Sequence, residues 1–325
     1  MQDVASLINI SDEKLDKLMK EINNIDQDKV RVIKEDTICA PGLKYEAGSC
    51  AKLSVLIELA KAFNYSAQSK DHIQLVPNFE TLNPKKYKAY LVSELNTRIG
   101  DKCTTQKCWS QQEFVKYMNE KAREEFLRHT FRPQSPQGKF EWLSTFDIND
   151  SMVQYEKKYN DFKFFGAVPM DFATLPALEI GNINYEKYMQ MGKTKLGIIF
   201  NLDDHDEPGS HWVGMFTDML KGHIFYFDSF AVKPEPRVRN LMRKQTRFLE
   251  QKGIPLDKIR ADYNRTQHQK GNSECGVYSM NFLIKMAKGE DFDKYCSNPT
   301  DDEKMNKCRR VYFDKYSKKS TNASK

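Results

Sequence analysis

Apolar residues recur at helical spacing through the first part of the chain and cluster in short dense runs through the second. Leu15, Leu18, Met19, Ile22 and Ile25 fall on one face of a helix that opens after Ser11, with Asp12 and Glu13 in its first turn, where carboxylates suit the helix dipole. Leu53, Leu56, Ile57, Ala60 and Phe63 mark a second helix behind a Pro-Gly turn, and Phe114, Val115, Met118 and Ala122 a third, over 111–127. The stretch "RPQSPQG", Arg132 to Gly138, holds two prolines, a glycine and no apolar residue, so no helix continues through it. A boundary is placed there: an N-terminal helical domain with its linker over 1–138, a second domain over 139–316, and a polar tail over 317–325.

Beyond the boundary the texture is that of a sheet. "LGIIFNL" from Leu196, "HWVGMF" from His211 and "HIFYFDSF" from His223 are strand-length apolar runs separated by acidic or glycine-containing turns. A basic helix is expected over 238–251, a strand over 259–263, and an apolar helix that begins at Cys275. No internal repeat is evident.

Composition places the chain among globular proteins, since 39% hydrophobic and 12% aromatic residues supply enough apolar surface for a core. The formal charge of +6 arises from 51 basic against 45 acidic residues spread along the chain. So mild a field tolerates an anionic neighbour such as nucleic acid without supplying a binding arm. Seven cysteines form no secretory disulfide pattern and point to a reducing compartment. The polar N-terminus and the lack of any membrane-length apolar run lead to the expectation of a soluble protein, made in the cytosol and not secreted.

The chemistry concentrates at "HQKGNSECGVYSM". A cysteine in the first turn of a helix sits where unpaired N–H groups and the dipole favour a thiolate. Cys275 holds that position, and Gly276 after it leaves room for a substrate carbonyl. A thiolate needs an imidazole, and the imidazole an acceptor that holds its tautomer. His211 opens one strand and Asp228 closes its hairpin partner, so the two meet at one end of the sheet. Gln269, six residues before Cys275, suits an oxyanion donor together with the cysteine's own N–H.

The order His-Trp, Asp-Ser, then Gln six before Cys-Gly resembles the SUMO-specific cysteine proteases and their relatives, among them the adenovirus protease. Enzymes of the papain type run Cys before His, which separates the two groups. The resemblance implies His211 as general base and acid, Asp228 as its orienting partner, Gln269 as oxyanion donor and Cys275 as nucleophile. It also implies that Trp142 of "EWLSTFDIND" and Trp212 close over a Gly-Gly substrate tail. "CAPGLKYEAGSCAKLSVLIELAKAFN" and "DKCTTQKCWSQQEFVKY" are similar to the leading region of the SUMO-protease-like enzymes of nucleocytoplasmic large DNA viruses, which mature virion polyproteins; some of those carry Asn at the position of Asp228.

The expected fold is therefore α+β, a papain-like core of central mixed sheet and nucleophile helix behind an N-terminal helical domain. The expected activity is a thiol endopeptidase that cleaves after Gly-Gly-type sites in viral capsid or core polyproteins, without a cofactor, in host cytoplasm at assembly sites and in the virion. Rivals are a SUMO or ubiquitin-like isopeptidase, an acetyltransferase using the same triad, and a virion protein with a vestigial triad. Cys39, Cys50, Cys103 and Cys108 are read as reduced packing thiols rather than a zinc site, their spacings being loose for a knuckle. His72, His129, His205 and His223 have no evident partner in the sequence.

Overall fold

The computed structural model describes residues 11–27, 30, 32–100, 103–136 and 141–314. The chain divides into two compact units, Met1–Arg132 and Pro133–Lys325.

The first unit is helical: α1 (Asp12–Asn24), α2 (Leu53–Ser66), α3 (Pro84–Ile99), the short α4 (Gln106–Trp109) and α5 (Glu120–His129). Its core joins Leu18 and Ile22 of α1 to Leu56, Leu59 and Ala60 of α2 and to Tyr87, Leu91 and Leu95 of α3. The single helix expected over 111–127 is replaced by a 3-10 turn, Glu113–Tyr117, followed by α5. Asn119 is the reason: its side chain accepts the N–H of Ala122 and so starts a new helix in the middle of the apolar pattern.

The four cysteines of this unit are not reduced thiols, nor are they left to bind zinc. Cys39 is joined to Cys50 and Cys103 to Cys108, with Cα separations of 5.3 and 5.4 Å, within the span a disulfide bridges. Local structure brings them together: the turn Glu46–Ser49 folds the chain back just before Cys50, and Cys108 lies in α4, which opens a few residues after Cys103.

The second unit is built on a five-stranded sheet in the order β1 (Phe162–Val168), β2 (Lys195–Asn201), β3 (Trp212–Asp218), β4 (His223–Phe227), β5 (Arg260–Tyr263). The outer pairs are parallel and the inner pairs antiparallel, so the sheet is mixed. Both faces are covered, and side chains alternate between them along β2, β3 and β4. Leu196, Ile198, Val213, Met215, Ile224 and Tyr226 pack beneath Val238, Leu241 and Leu249 of α8 (Pro236–Gln251). Ile199, Trp212, Phe216, Phe225 and Phe227 face the opposite layer, formed by α6 (Thr145–Lys158) and α9 (Cys275–Lys288). The unit is completed by α7 (Tyr185–Gln190), α10 (Phe292–Ser297) and α11 (Asp302–Tyr312).

Three features place the ends of these elements. Gly222 adopts φ +71° in the hairpin between β3 and β4, while the carboxylate of Asp218 accepts the N–H groups of Leu220 and Lys221 there. Gly289, at φ +93°, ends α9 in the left-handed conformation that glycine favours. Pro133 and Gln134 do not behave as free linker, since Asp314 donates its N–H to Pro133 O at 2.8 Å and pairs with Gln134. Residues 137 and 138 of the expected linker, and the tail 317–325, lie outside the described residues. Among the described residues, no helix is long and apolar enough to cross a membrane.

Candidate active site

The site forms where β3 begins and β4 ends. Gly214 pairs with Phe227 at the end of the β3–β4 ladder; Asp228 follows directly on β4 and His211 lies just before β3, so both stand past the same end of the sheet. A carboxylate can only accept, so His211 donates through Nε2 to Asp228 Oδ1, at 2.7 Å, which leaves Nδ1 for a second partner. Cys275 acts on the same imidazole and, with Asp228, raises its affinity for a proton. Burial on its own pushes His211 toward the neutral form; Asp228 and Cys275 outweigh it and hold the imidazolium up to about 9. Phe230 lies beside the ring, with centroids 5.0 Å apart and planes tilted by 35°.

Asp228 is 1% exposed, and its surroundings explain how a buried carboxylate is tolerated. Oδ1 accepts the backbone N–H of Phe230 at 2.8 Å as well as His211. The backbone of Asp228 is clamped by one buried amide: Asn264 Oδ1 accepts its N–H at 2.9 Å and Asn264 Nδ2 donates to its carbonyl at 2.6 Å. The sequence pattern does not point to Asn264, and it includes Ser229 only as the second half of the Asp-Ser pair, with no role. Their roles are bonds to groups 36 and 40 residues away, and only the parallel pairing of β4 with β5 brings them near.

Gln269 is fully buried and its amide has a defined orientation. Gly271 O can only accept, so Gln269 Nε2 faces it at 3.0 Å; Ser229 Oγ donates to Gln269 Oε1 at 2.6 Å on the other side. The second Nε2 hydrogen has no bond to any described residue. The main chain is pinned as well, because Ser229 O accepts the N–H groups of both His268 and Gln269.

Cys275 is the first residue of α9 and is buried. On its Cβ side Gly276 is closely packed: a Cβ there would stand 3.0 Å from the side chain of Leu143, so glycine lets the start of α9 lie against the "WL" segment. The two indoles also differ in position. Trp142 is 46% exposed, whereas Trp212 is 5% exposed and donates Nε1–H to Leu143 O at 2.8 Å. Trp212 thus fixes the backbone that presents Trp142, with Leu143 bridging both to the first turn of α9. Of the histidines without a sequence partner, His205 pairs with Asp171, which draws its proton upward.

Chemically, the arrangement is an imidazole bonded to a carboxylate and acted on by a thiol, with an oriented amide close ahead of the thiol in the chain. It provides a nucleophile, a proton acceptor and a hydrogen-bond donor, and needs no metal to do so.

Comparison with known proteins agrees. The Ulp1 protease family, C-terminal catalytic domain, matches residues 192–322. A putative thiol protease of Acanthamoeba polyphaga mimivirus is 38% identical over 283 residues, covering 85% of this chain and 93% of its own. A cysteine protease of African swine fever virus is 24% identical over 277 residues, covering 78% of this chain and 98% of its own. A crystal structure of the African swine fever virus protease shares the fold, with a TM-score of 0.56 over 70% of this chain and 90% of that one, at 23% identity.

Proposed function

The chain belongs to the Ulp1-like thiol proteases shared with these viruses, and from that we propose that it is an endopeptidase whose nucleophile is Cys275, with cleavage after Gly-Gly-type sites in viral structural polyproteins. One observation carries the catalytic assignment: a single imidazole, His211, bonded to the buried carboxylate of Asp228 and held in its protonated form by Asp228 and Cys275 together. In this reading the His211 imidazolium holds the proton that Cys275 has given up, and the thiolate attacks the substrate carbonyl carbon. Gln269 Nε2–H and the Cys275 N–H receive the charge that develops on oxygen. The imidazolium then protonates the departing amine, the C–N bond breaks, and a thioester remains. Water gives a proton to His211 and its hydroxide hydrolyses the thioester, which returns the thiolate beside the imidazolium.

The preference for glycine rests on Trp142. An exposed indole at the mouth of the site, carried on a backbone that Trp212 holds in place, narrows the passage for the residues before the cut. A polyprotein substrate, and action at assembly sites in host cytoplasm and in the virion, are part of this proposal and follow from the resemblance of the leading region to the SUMO-protease-like enzymes of nucleocytoplasmic large DNA viruses. Another relative is named a SUMO-1 cysteine protease of African swine fever virus, which favours deconjugation of a ubiquitin-like tail as the second reading.

The test compares kcat/KM for Gly-Gly-X and Gly-Ala-X peptides and for a SUMO conjugate, using wild type, Cys275→Ala and Trp142→Ala. Cys275→Ala is expected to abolish turnover. Wild type is expected to reject Gly-Ala-X, and Trp142→Ala to lose activity on Gly-Gly-X while its discrimination shrinks. Cleavage by the Cys275→Ala protein would overturn the catalytic assignment. Equal use of both peptides by wild type would overturn the steric one, and a preference for the conjugate would select the second reading.

A further inference from the structure

The segment between β5 and α9 carries Gln269 yet has no regular structure of its own from Asn264 to Glu274. Ser229 O holds its backbone at His268 and Gln269, and one face of α11 holds it from Lys270 onward. Asp302, Asn306 and Arg309 fall four and three residues apart, so they project on the same side of that helix. The Asp302 carboxylate accepts the N–H of Lys270 at 3.0 Å and that of Gly271 at 2.7 Å through Oδ2. The hydroxyl of Tyr278, from α9, lies 2.9 Å from Oδ1. Further along, Asn306 Nδ2 donates to Glu274 Oε1 at 2.8 Å, and Arg309 donates to Ser273 O at 3.0 Å and to Asn306 Oδ1 at 2.9 Å.

The connection to chemistry is Gly271. Asp302 holds its N–H, and its carbonyl orients the amide of Gln269. A carboxylate near a site that stabilises developing negative charge opposes catalysis if it acts only as a charge. Here it is spent on backbone N–H groups and a hydroxyl, which fix geometry. We propose that Asp302 is a positioning residue: it fixes the Lys270–Gly271 turn so that the second N–H of Gln269 is aimed at the substrate oxygen before substrate arrives. This rests on the reading of Gln269 as oxyanion donor.

The experiment uses the full chain. In Asp302→Ala, amide hydrogen exchange at Lys270 and Gly271 is expected to rise by about tenfold or more while the strands of the sheet keep their protection. With a Gly-Gly-X peptide, kcat is expected to fall on the order of 10- to 10²-fold with KM within about threefold, because an oxyanion donor acts in the transition state. Alkylation of Cys275 by iodoacetamide passes through no oxyanion and should stay within about twofold of wild type. In a Gln269→Ala background, Asp302→Ala should cost nothing further in kcat. Unchanged exchange at Lys270 and Gly271, or an equal cost in both backgrounds, would overturn the proposal. If the alanine variant does not fold, Asp302→Asn, whose neutral amide oxygen accepts the same two N–H groups more weakly than a carboxylate, should lie between it and wild type, and exchange equal to wild type would again refute the idea. A wild type inert toward every acyl substrate would sink the proposed function, while the exchange measurement would still decide whether Asp302 holds the turn.

Discussion

At the scale of single residues, the proton on His211 is the most informative quantity in the molecule. Burial drives it off; Asp228 and Cys275 hold it on, up to about 9. Removing one of those partners should therefore release it. The His211 ring should titrate near 9 in wild type and lower in both Cys275→Ala and Asp228→Ala, as read from its imidazole proton resonance; a wild-type midpoint near the ordinary 6.5 would contradict the bonding pattern. Linkage fixes the sign for stability. A raised histidine stabilises the fold fully below its unfolded value of about 6.5, and that contribution disappears as pH rises through about 9. His268 works in the other direction. It is buried, its Nε2 lies 3.0 Å from Cys296 O, and burial lowers its affinity for a proton, so its contribution is present above the ordinary value and lost as pH falls. The order of His, Asp, Gln and Cys made the site residues legible in the sequence. The roles of Asn264, Ser229 and Asp302 were not legible, because each acts on the backbone or amide of a distant residue and has no reactive group to draw attention.

At the scale of elements, the nucleophile is located by how closely α9 lies on the sheet. Two strand glycines make room for it. A Cβ on Gly197 would come within 2.6 Å of the Phe162 ring and 3.1 Å of Leu283, and one on Gly214 within 2.9 Å of Phe282. Phe162 and Phe282 are both fully buried, so neither ring has space to withdraw. Gly197→Ala should accordingly destabilise the second unit by about 1 to 3 kcal/mol, the usual cost of overpacking, as measured by denaturant unfolding. A loss below about 0.5 kcal/mol would show that the layer yields more easily than close packing allows. The same contacts explain which elements the sequence disclosed. β2, β3 and β4 are buried on both faces and read as unbroken apolar runs. β1 was missed because it carries Lys163, shifts register between Phe164 and Ala167, and turns through Gly166 at φ +112°. α3 was missed because lysines and tyrosines share its surface, with Lys88 buried against Ser49 O rather than exposed.

At the scale of the whole molecule, each hydrophobic cluster draws on one unit only. Leu18 to Phe131 supply the core of the first unit, and residues from Leu143 onward supply the two layers of the second. The disulfides follow the same division: both belong to the first unit, while Cys275, Cys296 and Cys308 of the second are free. The odd cysteine count hid this, since it sums a stapled unit with one whose chemistry requires a free thiol. The bridges close short loops, with sequence separations of 11 and 5 residues. In the chain-entropy account each such loop contributes about 2 to 3 kcal/mol by restricting the unfolded chain. Two thermal transitions are therefore expected, and mild reductant should lower the one belonging to residues 1–132 by on the order of 10 °C while leaving the catalytic unit in place. Calorimetry with and without reductant, alongside alkylation of Cys275 to report on the second unit, decides the matter. A single transition, or one in which reductant moves Cys275 reactivity and the first unit together, would mean that the two cores do not melt independently. Independent melting would instead show that reductant, which keeps the nucleophile a free thiol, weakens the helical unit without disturbing the unit that carries out the reaction.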